Sequence, residues 1–152
     1  MTLTGRRTWR SILGWSVITL FVLIFVLYYH AKLILNESLY VEKATYPYYV
    51  VIPKEIRILP LLKPSNSPVY FYSASDGHQP TTAEVSYQTS DNENNIIRFY
   101  NNYFTSLGYE KIGQPEGGGK LAFTSSVGNF FVNIKHPDMK RDRSEVSIEL
   151  VN

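Results

Sequence analysis

Ser90-Asp91-Asn92-Glu93-Asn94-Asn95-Ile96-Ile97-Arg98-Phe99-Tyr100-Asn101-Asn102-Tyr103-Phe104-Thr105-Ser106-Leu107-Gly108 is the stretch that decides the fold. A hydroxyl residue followed three positions later by glutamate reads as a capping box, with Ser90 as the cap and Glu93 reaching back. Ile96, Ile97, Tyr100, Tyr103, Phe104 and Leu107 then recur at spacings of three and four, which places them on one face of a helix. Gly108 is the left-handed stop. An amphipathic helix of this kind needs an apolar layer to lie on, and the flanking sequence supplies one.

Upstream, Ala83 to Thr89 alternates apolar and polar, so Ala83, Val85 and Tyr87 face inward from a half-buried strand. Val69 to Ser73 reads as a shorter strand, and Asp76-Gly77 between them is a turn signal. Downstream come a short segment Tyr109–Ile112 and a glycine turn at 117–119. Three alternating strands follow: Lys120–Ser125 with Leu121 and Phe123 on one face, Asn129–Lys135 with Phe130, Val132 and Ile134, and Ser144–Val151 with Val146, Ile148 and Leu150. Their links are hairpin-sized. The expected class is α+β: an antiparallel sheet with one amphipathic helix packed on it.

The Thr89-Ser90-Asp91 start, the Phe99-Tyr100 pair, the Leu107-Gly108-Tyr109 end and the later Leu121-x-Phe123-Thr124 resemble a recurring bacterial pattern. It is similar to small βαβββ domains tethered outside the cytoplasmic membrane, many of uncharacterised function. The match covers about residues 83–150. It implies a fold and a setting, and carries over no active site.

Further out lies the anchor. Ile12 to Tyr29 is 18 residues without a charge, 12 of them Leu, Ile, Val or Phe, among them Phe21 and Phe25. At 1.5 Å per residue the run is about 27 Å long, near the hydrocarbon thickness of a bilayer. Trp9 and Trp15 at one end, and Tyr28 and Tyr29 at the other, have the amphipathic rings favoured at the two interfaces. Arg6, Arg7 and Arg10 place the N-terminus in the cytoplasm by the positive-inside rule, and so the rest of the chain in the periplasm or outside. The apolar run is longer than a signal-peptide core, and no small-x-small cleavage site follows it, so an uncleaved anchor in the cell membrane is expected.

Residues 1–35, the cytoplasmic N-terminus and anchor, hold four basic residues and no acid. Residues 36–152 hold the other 11 basic residues and all 13 acids, a net charge of −2. The alkaline pI therefore belongs to the anchor, and a nucleic-acid partner is not expected. Residues 36–64 read as a proline-rich apolar connector and 65–152 as the outer domain. Tyr46-Pro47-Tyr48-Tyr49-Val50-Val51-Ile52-Pro53 is expected to be extended, because prolines exclude a long helix or a central strand.

No constellation for chemistry stands out. The chain has no cysteine, and His30, His78 and His136 are scattered. Gly117-Gly118-Gly119-Lys120 lacks the Walker spacing, and the acids around Asp138, Asp142 and Glu145 alternate with bases as a solvated loop would. Neither a catalytic residue, a metal nor a cofactor is expected. The anomaly is aromatic: 12 tyrosines, most of them beyond the anchor. Tyr46, Tyr48, Tyr49, Ile58 and Leu61 are the candidate interface residues, since tyrosine suits surfaces with one dry and one wet end. The expected function is a non-enzymatic single-pass subunit that binds membrane lipid and other protein subunits. The alternative is a tethered module for a ligand, lipid or glycan.

Overall fold

A continuous helix, α1 (Thr4–Ile34), opens the chain in the computed structural model. The structure describes residues 4–36, 38–113, 121–135 and 143–152, with side chains from Gly14 onward. The segment Gly14–Ile34, 21 residues or about 32 Å, is long and apolar enough to cross a membrane. Trp15, Phe21, Phe25 and Tyr28 are two-thirds exposed within the chain. The Thr19 hydroxyl donates to the Trp15 carbonyl at 2.9 Å, which satisfies it inside an apolar helix. Trp9, Arg6, Arg7 and Arg10 lie in the first turns of this helix.

The chain divides into two compact units, 1–35 and 36–152. In the second unit the order is β1 (Leu39–Val41), α2 (Tyr46–Val51), α3 (Lys54–Arg57), β2 (Val69–Ser73), β3 (Thr82–Thr89), α4 (Glu93–Ser106), β4 (Glu110–Ile112), β5 (Leu121–Ser125), β6 (Gly128–Lys135) and β7 (Ser144–Val151). All seven strands form one antiparallel sheet in the order β1-β2-β3-β7-β6-β5-β4. The class is therefore α+β, as the alternation and the single amphipathic helix require.

Alternation divides the sheet into two faces. Ala83, Val85, Tyr87, Val146, Ile148, Leu150, Phe130, Val132, Leu121 and Phe123 are buried on the inner face. The rings of α4 lie on this layer. Phe104 stacks on Phe123 with centroids 4.7 Å apart and meets Phe130 at 4.9 Å. The opposite face carries Phe71, Glu84, Glu149 and Phe131 as one cross-strand row, flanked by Tyr40 on β1 and Ala122 on β5.

Both ends of α4 differ from, or refine, the sequence expectation. The cap is Asn92, not Ser90: its Oδ1 accepts from the Asn95 amide at 2.9 Å. The Thr89 hydroxyl first accepts from the Asp91 amide, and this local turn delays the helix by two residues, so Glu93 opens it. At the other end Gly108 has φ +80. Its amide donates to the Thr105 carbonyl, and the Tyr109 amide donates to the Phe104 carbonyl, the two bonds of a Schellman motif. Leu107, placed on the apolar stripe by its spacing, is 56% exposed because it occupies the cap position.

Residues 46–53 are not extended. Tyr46–Val51 is a single helical turn and more, with Pro47 in its first turn, where a missing amide proton leaves no bond unmade. The proline limits the helix to six residues but does not prevent it. Tyr48, Val51, Ile52 and Ile56 are buried, so α2 and α3 pack onto the domain. Two hydroxyls fasten the next segment. The Leu62 amide donates to Tyr87 Oη at 3.2 Å, Tyr87 and Tyr100 share a 2.7 Å hydroxyl bond, and Tyr100 donates to the Pro60 carbonyl at 3.1 Å. This relay links sheet, helix and connector. Tyr100→Phe leaves the Pro60 carbonyl without its donor, and a loss of about 1–3 kcal/mol is expected. A denaturation cycle with Tyr87→Phe should show a coupling of about 0.5 kcal/mol or more; strict additivity would mean the relay does not act as a unit.

The Asp76-Gly77 turn is present. Asp76 Oδ1 accepts from the His78 and Gln79 amides, and those bonds hold its carboxyl below the usual range. The Gly117–Gly119 turn, Lys120, His136, Asp138 and Asp142 lie outside the described residues.

Candidate functional site

Three surfaces of the second unit carry features that a partner or ligand can use. The first is the exposed side of α2 and α3. Tyr46 and Tyr49, three residues apart, share one face of α2 and are 53% and 57% exposed. The Arg57 guanidinium sits 5.5 Å from the centre of the Tyr49 ring, and Ile58 beside it is 62% exposed. The opposite side of this segment is anchored: Tyr48 meets Tyr70 edge to face at 4.9 Å, and Ile52 and Ile56 are 1% exposed. Three apolar side chains and one arginine are thus presented from a rigid support, the composition that dominates the energetics of protein interfaces.

The structure thus separates the five residues that the sequence grouped. Tyr46, Tyr49 and Ile58 point outward, Leu61 is half-buried, and Tyr48 faces the core. Arg57, half-buried, was not singled out in the sequence. Only its approach to Tyr49, across a turn, brings it into the patch.

The second surface is a groove of about 280 Å³ beside α4, lined by Leu62, Lys63, Asp91, Asn95, Arg98, Phe99 and Asn102. Lys63 Nζ lies 3.2 Å from Asp91 Oδ2, with the lysine exposed and the aspartate nearly covered. Arg98 donates to Asn95 Oδ1 at 3.2 Å. The groove combines one aromatic edge with amides and both signs of charge, a lining suited to a small polar ligand. By contrast, the space between α4 and the sheet is occupied by Tyr87, Tyr100, Phe104, Phe123 and Phe130, each at most 1% exposed.

The third surface is the outer sheet face. Glu84 on β3 and Glu149 on β7 are directly opposite each other. Burial pushes the Glu149 carboxyl above its usual range, and the Glu84 charge adds to the shift. Sequence alternation shows that both residues face outward, but only the register shows that they are neighbours. Among the described residues, no group of three or more His, Asp or Glu side chains gathers as metal ligands would.

Comparison with known proteins places this architecture. No curated protein matches the chain, and no solved structure matches it. The family model described as START domain-like matches residues 67–151, from just before β2 to the end of β7. That stretch includes α4 and the strands β2 to β7, and exceeds half the chain. The chain belongs to the START domain-like family.

Proposed function

We propose that this protein is a non-enzymatic, membrane-tethered binding subunit that presents the α2–α3 surface to another protein. One observation carries the reading: Tyr46, Tyr49 and Ile58 are each more than half exposed on a segment whose other side is locked into the core. Exposing such side chains has no benefit to an isolated domain, whereas rigid support lowers the entropy lost on docking. The apolar Gly14–Ile34 helix supports attachment to the cell membrane. Arg6, Arg7 and Arg10 support a cytoplasmic N-terminus, with the domain in the periplasm or outside.

A photo-crosslinking amino acid at position 49 of the full chain, expressed in its native membrane, tests this. The expected result is one discrete cross-linked protein band that Ile58→Asp reduces about tenfold or more, while the same probe at Val127, exposed in the turn between β5 and β6, gives none. Lipid-only adducts, or equal bands at both positions, would overturn it.

A second reading takes the groove beside α4 as a ligand site. START-like domains are generally binding modules and often bind ligands or lipids. The groove's volume of about 280 Å³ limits such a ligand to a small one, or to the head of a larger one. A small molecule that co-purifies and shifts the Asn95 and Asn102 side-chain amide signals would favour this reading over the first.

A further inference from the structure

The outer sheet face breaks a rule of sheet construction at its centre. Like charges directly opposite on neighbouring strands destabilise a sheet. Yet Glu84 and Glu149 are paired in register on the two middle strands β3 and β7. Among the described residues, the other charges on this face do not relieve them. Lys135 lies directly opposite Glu145, so that pair balances itself, and Glu110 adds a further negative charge on β4. The ring contacts of α2 and α4 with the sheet go to Tyr70, Phe123 and Phe130 on the other face.

What flanks the two carboxylates is also specific. Phe71 lies next to Glu84 in the same row, and Phe131 lies next to Glu149. Tyr40 extends the row, with its ring 5.2 Å from Phe71. With strands about 4.8 Å apart, the two phenylalanines bracket the acids across about 14 Å. An extended segment lying across the strands covers that span with about four residues. Rings on either side of a half-buried acidic pair also suit a cation, which is attracted by carboxylate and ring face alike.

From this face we infer a docking surface for a basic, amphipathic protein segment, whose lysine or arginine side chains neutralise Glu84 and Glu149 while its apolar side chains cover Phe71 and Phe131. The surface lies across the sheet from α2 and does not depend on the Tyr49 patch. Charge complementarity sets the sign of the partner, and the rings set its amphipathic character. Departures from construction rules concentrate where function imposes them.

The test uses the full chain in nanodiscs of zwitterionic lipid, so that a cationic probe has no anionic bilayer to bind. The probes are a lysine–valine alternating peptide, its glutamate–valine counterpart, spermidine and magnesium ion. The expected result is binding of the lysine–valine peptide alone, with shifts at the Phe71, Glu84, Phe131 and Glu149 amides. Glu84→Gln with Glu149→Gln should weaken that binding about tenfold or more while raising the melting temperature of the free protein by about 2–6 °C. These opposite signs separate a docking role from a structural one. Unchanged binding in the double variant, equal binding of spermidine or magnesium ion, or a lowered melting temperature would each overturn the inference.

Discussion

Phe104→Ala should destabilise the outer domain by about 3–5 kcal/mol, lowering its melting temperature by about 10–20 °C. Phe104 is 1% exposed, and its ring touches those of Tyr100, Tyr103, Tyr109, Phe123 and Phe130. Truncation therefore removes a large transfer term and opens a void that five rigid rings cannot close. The Phe104 and Tyr109 rings also form the apolar clasp of the helix stop, so the loss reaches the turn into β4. Leu107→Ala, three residues on and on the same sequence stripe, should change stability by less than about 0.5 kcal/mol, because Leu107 is already exposed. Denaturant unfolding of the two variants in detergent measures the difference. Equal losses would mean that the α4 layer is not packed as described.

Alkaline pH should unfold the domain with an unusually steep dependence. Tyr70, Tyr87 and Tyr100 are 3%, 1% and 0% exposed, and burial, the largest cause in each case, pushes their phenols above the ordinary value. For Tyr100 the neighbouring Tyr87 raises it further, while for Tyr87 the bond from the Leu62 amide partly opposes the rise. In the folded state these groups stay protonated where the unfolded chain ionises them. The stability they contribute is complete below pH about 10 and is lost as pH rises toward their folded values. Tyr70 and Tyr100, pushed furthest, each lower the unfolding free energy by about 1.4 kcal/mol per pH unit in that interval, about 3 together, and Tyr87 adds to this. For a domain of ordinary stability, this predicts cooperative loss of structure between about pH 11 and 13. Phenolate absorbance should rise with the loss of circular dichroism rather than before it, and Tyr100→Phe should remove about one third of the slope. Gradual ionisation that precedes unfolding would refute the shared burial.

The sequence revealed the secondary structure where periodicity was sustained. Strands β2, β3, β6 and β7 and the body of α4 follow directly from alternation or from spacings of three and four. It failed where a local competitor decided the outcome. Thr89 forms a turn ahead of the expected cap at Ser90, and Pro47 starts a short helix where it was read as enforcing an extended chain. Strand β1 is three residues long, too short for any period to register; its pairing with β2 is what defines it. The candidate surfaces were legible as composition but not as arrangement. Twelve tyrosines are visible in the chain. That Tyr87 and Tyr100 share a buried hydroxyl bond while Tyr46 and Tyr49 face outward depends on contacts made across dozens of residues. The Glu84–Glu149 pairing is similarly hidden, because alternation fixes the face of a strand and leaves its register open.

The strand order has a consequence for how the protein is made. The middle position of the sheet, with three strands on either side, is taken by β7, the last element in the chain. As the polypeptide emerges from a ribosome, β1–β3 and β4–β6 appear first, as two halves that share no ladder. Residues 144–151 join the two ladders, pairing with β3 on one side and β6 on the other. The seven-stranded sheet is thus continuous only once β7 has taken its place between β3 and β6.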